Sequence, residues 1–396
     1  YDWEQYLDFA DQHMFPEAAL EPGPAVTLEW IREHIRPSTP RLILTADLEA
    51  GIRKKLNAGD RLTTLGFDLV REQAETLLDL DPLTYKKQGR RLLGVSREAV
   101  RRLSTLALVH RFEPDDRYLD KLEAELKAVC SFTDWNPSHF LDVAEMAAGI
   151  ALALDWAGDV LSPETQKLAR SSLVEKALKQ GVASSGNNFF VNVHHNWNLV
   201  CNGGLAMAAL TVYEDEPELA SRILEQAVGT IPLALEPYAP DGVYPEGASY
   251  WFYATSYLAA TISAFESALG TDCGFSEAAG LRESAVFCQV LAGPSGAYYK
   301  FFDAGAGGYY GLTHLGLLAW FARRSGDGVD LAAYADLLER EKDNPRQSGS
   351  NRFYPYFFLE LALVEDGQVG RQELPAVWVA GGGEPLGIFR DPDREA

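Results

Sequence analysis

The stretch VHHNWNLVCNGGLAMAAL, residues 193–210, decides how this chain folds. From Leu199 onward it carries no charged side chain, and its apolar residues are not confined to one stripe of a 3.6-residue period. A helix built from it must be buried on nearly every side. Its entrance is the opposite, with His194, His195, Asn196, Trp197 and Asn198 in a row. Imidazoles and amides cost about 1–3 kcal/mol each when buried without partners, so a polar row ahead of a buried helix suits a site. The plainer alternative is a helix entrance with Asn196 as its cap.

Segments 138–158 and 249–269 are likewise apolar nearly all round, whereas 162–181 carries a charged face. Alternating buried and amphipathic helices is what concentric rings produce, so the expected fold is all-α: an α/α toroid, an incomplete barrel of helical hairpins. The repeat is too inexact for a solenoid. Further helical patterns fall near 63–80, 115–130, 216–235, 276–292, 309–325, 329–342 and 353–364. Thr45, Ser96 and the pair Ser162-Pro163 read as helix starts, and Gly181 as a stop.

The pattern changes near residue 370. Ala376–Ala380 and Leu386–Phe389 alternate like strands and are joined through Gly381-Gly382-Gly383, which predicts a β-hairpin. Because a lone hairpin is marginal by itself, the expected organisation is a toroid domain over 1–370 and the start of a truncated antiparallel β-sandwich over 371–396.

At 396 residues the chain exceeds the usual size of a single core, yet no Ser/Gly linker interrupts its first 340 positions. The formal net charge of −22, from 57 acidic and 35 basic side chains, argues against nucleic-acid binding. No apolar run is long enough to span a bilayer, so membrane insertion is not expected. Cys130, Cys201, Cys273 and Cys288 have no metal-ligand or disulfide-framework spacing. The first residue is Tyr1 rather than Met, so any secretion signal would precede it.

Three stretches set polar groups in apolar surroundings. In residues 134–156, Asn136 and His139 open a helix, and His139, Asp142 and Glu145 recur every three residues; a hydrogen-bonded core histidine with two first-turn carboxylates is the alternative reading. The polar row at 194–198 is the second. In residues 240–258, a Pro/Gly turn delivers Tyr244 and Glu246 ahead of a helix bearing Tyr250, Tyr253 and Tyr257. A tyrosine stripe at that spacing is ordinarily core, but Tyr250 sits in the first turn, where a phenol can reach a cavity. The histidines lack metal-binding spacing, and nucleophile-elbow, Walker and dinucleotide patterns are missing.

WNPSHFLDVAEMAAGIALALDW, HHNWNLVCNGG and DGVYPEGASYWFYA, in that order, resemble the heparinase II/III-like polysaccharide lyases, a superfamily that includes oligoalginate lyases. The resemblance runs from about residue 40 to the C-terminus. It implies an α/α toroid followed by a β-sandwich, and a periplasmic or secreted enzyme that cleaves an acidic, uronate-containing polysaccharide or oligosaccharide by β-elimination without a cofactor. It assigns neutralisation of the substrate carboxylate to His195 and Asn196 and acid–base chemistry to Tyr250, with Asn136, His139, Trp197, Glu246 and Tyr253 in substrate binding. A second catalytic histidine, which the family carries in its sandwich, has no counterpart before Ala396, so the resemblance implies half of an active site.

The chemistry fits those residue types. Removing the C5 proton of a uronate places charge on a group that is already a carboxylate, and an amide with an imidazole can stabilise the enolate as an oxyanion hole does. A tyrosine can serve as base and as acid, and histidine can replace it as base on one epimer. A glycoside hydrolase using Glu246 with Asp142 or Glu145 and a non-catalytic glycan-binding protein are the alternatives. On the lyase reading, His139, His195, Asn196 and Tyr250 line one cleft, made locally positive by Arg or Lys from 86–102 or by Lys300.

Overall fold

Helices approach one another closely where glycines stand. A Cβ on Gly149 would come 2.9 Å from Val100 Cα, one on Gly204 2.2 Å from Ala144 O, and one on Gly203 2.5 Å from Thr261 Oγ1. These contacts set the helices Leu93–Phe112, Leu141–Ala157, Asn196–Thr211 and Ala248–Leu269 side by side in succession. They are the inner helices of an α/α toroid. The structure, a computed structural model, describes residues 26–182, 186, 188–293, 297–303, 312–325, 352–364 and 374–391.

In chain order the helices are α1 (Leu28–His34), α2 (Ala46–Asn57), α3 (Arg61–Leu78), α4 (Leu93–Phe112), α5 (Asp116–Cys130), α6 (Leu141–Ala157) and α7 (Pro163–Leu173). They continue as α8 (Asn196–Thr211), α9 (Pro217–Leu235), α10 (Ala248–Leu269), α11 (Ser284–Val290), α12 (Leu312–Ser325) and α13 (Tyr354–Ala362). Every residue of α6 is buried. By contrast α5, α7 and α9, which alternate with the inner helices, bury one face only. The ring returns on itself where α13 packs against α3, with the Phe358 ring 5.4 Å from Phe67. Lys55 Nζ then donates to Ala362 O and Val364 O at 2.9 and 2.8 Å, satisfying carbonyls at the end of α13.

Thr45 and Ser162 cap as expected, each side chain accepting from the backbone N–H three residues on. Ser96 does not cap. The helix begins earlier, at Leu93, because the N–H of Leu92 finds its acceptor in another helix, donating to Asp142 Oδ2 at 2.6 Å. The pattern at 276–292 gives helix over Ser284–Val290 and a short 3-10 turn over Phe275–Glu277. Between them Gly280 adopts φ +77° and lies against Tyr238 O, a backbone approach that continuous helix would not allow. The helix expected at 329–342 lies outside the described residues.

The hairpin forms as β1 (Val377–Ala380) and β2 (Leu386–Phe389), antiparallel, with Val377 opposite Phe389 and Ala380 opposite Leu386. Its inner face rests on the toroid: Trp378 packs against Phe287 of α11, and the N–H of Gly381 donates to Asp241 Oδ2 at 2.8 Å. Val377, Val379 and Phe389 face outward. The expected domain boundary at 370/371 falls among residues outside the described set. Among the described residues no helix is long and apolar enough to cross a membrane.

Candidate functional site

Three helix entrances meet at a cleft of about 320 Å³, lined by Arg91, Leu93, Arg97, His139, Leu141, His195, Asn196, Trp197, Glu246, Tyr250 and Tyr253. The entrance of α6 is built first. Asn136 takes a left-handed conformation, φ +60°, and Pro137–His139 make a 3-10 turn that runs into α6. Asp142, fully buried in the first turn, accepts from Leu92 N–H and Asn136 Nδ2 through Oδ2, each at 2.6 Å, and holds His139 Nδ1 at 2.7 Å through Oδ1. With Nδ1 tied back, Nε2 is the ring nitrogen that His139 has left for the cleft it lines.

Asn136, expected in substrate binding, does not line the cleft. Its amide donates to Arg90 O and Asp142, and its Oδ1 accepts from Lys87 Nζ and Ser138 Oγ. It ties the basic loop to the start of α6, and its polar atoms are consumed there.

At the entrance of α8 the cap is His195 rather than Asn196: His195 Nδ1 accepts from Trp197 N–H at 3.4 Å. Asn196 is the first helical residue, and Glu246 binds it twice, taking the backbone N–H through Oε2 at 3.0 Å and Nδ2 through Oε1 at 2.6 Å. Tyr244 OH donates to the same Oε2 at 3.1 Å. Asn196 Oδ1 is buried with no hydrogen-bond partner among the described residues. The rest of the polar row has other work. His194 faces solvent beside Glu236, and Asn198 ties the helix to Val193 O and Thr230 O while accepting from Asn202.

The third entrance is a turn closed by Gly247 N–H donating to Tyr244 O, with Gly247 at φ +84°. It places Glu246 in the cleft and starts α10, so Tyr250 lies half-buried in the first turn and Tyr253 one turn deeper. Tyr253 OH donates to Glu145 Oε1 at 2.7 Å, while Arg97 Nε also reaches Oε1 and Arg352 Nε stands by Oε2, each at 3.0 Å. Both guanidiniums also lie over the Tyr253 ring. Burial acts to raise the Glu145 carboxyl, but Arg352 and Arg97 outweigh it and hold the group below its ordinary range. Burial, then Glu145, pushes the Tyr253 phenol well up, so Tyr253 stays protonated. It is a floor residue of the cleft.

The basic stretch of 85–103 therefore divides. Arg101 and Arg102 pair with Glu98, and Arg102 also with the buried Glu125, as a solvated or structural face would. Arg91 and Arg97 line the cleft instead. Lys300 is exposed and does not line it. An aromatic step leads in from outside: Phe189, 52% exposed, lies 5.1 Å from the Trp197 ring, which in turn meets His139 edge-on at 4.9 Å. Phe189 gave no signal in the sequence.

The carboxylates needed by the hydrolase alternative are not free: Asp142 and Glu145 are fully buried and engaged, and Glu246 is committed to Asn196. Among the described residues no group of three or more His, Cys, Asp or Glu side chains is placed to hold a metal ion. All four cysteines are free and buried.

No protein-family model and no curated protein matches this sequence. Among solved structures, the chain is similar to the crystal structure of an alginate lyase from Bacteroides ovatus, with a TM-score of 0.50 and 14% identity over 81% of this chain and 99% of that one. At that identity the likeness is one of fold, a fold shared with a polysaccharide lyase.

Proposed function

We propose that this protein is a heparinase II/III-like polysaccharide lyase, periplasmic or secreted, that cleaves a uronate-containing polysaccharide by β-elimination and leaves a 4,5-unsaturated uronate at the new end. One observation carries the reading: His195, Asn196, Tyr250 and Arg97, which come from three inner helices, converge on a single cleft.

Each group has a task that its surroundings support. Trp197 N–H occupies His195 Nδ1, so the neutral ring carries its proton on Nε2 and acts as a donor. Asn196 has a second amide hydrogen beyond the one given to Glu246, and two donors of this kind stabilise an enolate where the substrate carboxylate sits. Arg91 and Arg97 favour an acidic chain despite the overall charge of −22. On this reading Tyr250, which lines the same cleft, protonates the leaving 4-oxygen. Phe189 and Trp197 offer a face on which a neighbouring sugar ring stacks.

The test is ultraviolet absorbance on a panel of alginate, heparan, hyaluronan and ulvan. A rise that tracks new reducing ends supports elimination. New ends without absorbance mean hydrolysis and would sink the reading.

A further inference from the structure

The two histidines of the cleft are wired oppositely. The partner of His195 Nδ1 is a backbone N–H, which only donates, so His195 holds its proton on Nε2. The partner of His139 Nδ1 is Asp142, whose other oxygen already accepts from Leu92 N–H and the Asn136 amide. A carboxylate that receives three donors is itself an acceptor, so His139 holds its proton on Nδ1 and its Nε2 is a bare lone pair. One ring enters the cleft as a donor, the other as an acceptor.

We infer that His139, oriented by Asp142, is the base that removes the C5 proton. This rests on the lyase reading and assigns a catalytic role to a residue that the resemblance placed only in substrate binding. Nucleophile–base–carboxylate sites use the same arrangement, in which a buried carboxylate fixes the tautomer and stabilises the imidazolium that forms. Asp142 is buried and receives a backbone N–H, an amide and an imidazole, so it is built to stay in place while His139 changes charge. Trp197 packs edge-on against the same ring and fixes its plane. Any buried histidine needs a polar partner such as Asp142, but His139 also stands in the cleft wall, which a packing role does not require.

The step balances without any added reagent. His139 Nε2 takes the C5 proton, the C–H pair becomes the C4=C5 double bond, the C4–O bond breaks, and the leaving oxygen takes the proton of Tyr250. Imidazolium and phenolate remain, and one proton passed between them through water restores both.

Two measurements test this. The first is the nitrogen NMR spectrum of histidine-labelled protein, which reads tautomers directly: we expect Nδ1–H at His139 and Nε2–H at His195, and a proton on His139 Nε2 would overturn the assignment whatever the activity. The second compares His139→Gln and His195→Gln on a polymer that the wild type cleaves, with substrate hydrogen exchange at C5 followed in heavy water. His139→Gln, whose amide can still donate to Asp142, should lower kcat about a hundredfold or more with KM within about threefold, and should abolish C5 exchange. Added imidazole should restore part of the rate in His139→Gly. His139→Gln that keeps more than about a tenth of kcat while the wild type is active removes His139 as base and leaves the lyase reading standing. A wild type inert toward every uronate polymer removes both.

Discussion

Glu246 and Asn196 form a two-point clamp: one carboxylate holds both the backbone N–H and the side-chain amide of the same residue, at 3.0 and 2.6 Å. It fixes the amide at the helix start before substrate arrives. Orientation set in advance is what makes a donor effective at a developing charge. Glu246→Gln turns one accepting oxygen into an amide NH2 that faces donors. We expect kcat to fall tenfold or more with the melting temperature little changed, since Glu246 is only partly buried. A fall in stability with kcat per folded molecule unaltered would mark the clamp as structural.

Tyr250→Phe removes one oxygen from a half-buried ring in the first turn of α10. Turnover should drop about a hundredfold or more while substrate affinity and unfolding midpoint stay near wild type. Steady-state kinetics beside a thermal melt decide it, and near-normal kcat would take Tyr250 out of the chemistry.

Phe189→Ala should act on length. The ring lies at the outer end of the Phe189–Trp197–His139 step, so its loss weakens only sugars beyond those at the reacting bond. KM for long chains should rise about threefold to tenfold, with KM for the shortest cleaved oligosaccharide unchanged. An equal effect at every length would place Phe189 elsewhere in the mechanism.

Glu145→Gln should be costly in stability. It leaves the Arg97 and Arg352 guanidiniums without their buried counter-charge, a loss of about 3–5 kcal/mol for pairs of this kind. Because the folded carboxyl titrates below its ordinary value of 4.5, its contribution is complete above that value and is lost as pH falls through the folded one. The stability gap between wild type and variant, measured by denaturant titration, should be flat at neutral pH and close in acid.

Where sequence reading succeeded, the signal was local. Apolar positions all round α6, α8 and α10, against one-sided burial in α5, α7 and α9, follow from side-chain order alone and yield the concentric arrangement. Where it failed, the partner was remote. Ser96 looked like a start because the Asp142 that receives Leu92 N–H lies on another helix. The engagement of Asn136 was not legible either, because nothing in its neighbours shows that Arg90 O and Lys87 would take up its amide. Arg97 was hidden in a run of basic residues, and only packing against Glu145 and Tyr253 separates it from Arg101, which pairs with Glu98 on its own helix.

The backbone contact between Gly204 and Ala144 has a consequence for how the cleft can diverge. It acts as a fixed gauge between the helix that begins just after His139 and the helix that His195 caps, and no side chain larger than hydrogen fits into it. The spacing of the two imidazoles is therefore not adjustable by substitutions in the helices. On the proposed lyase reading, new substrates are accommodated by rewriting what surrounds the gauge, the basic loop before Leu93 and the segment bearing Phe189, so specificity drifts while the two imidazoles keep their distance.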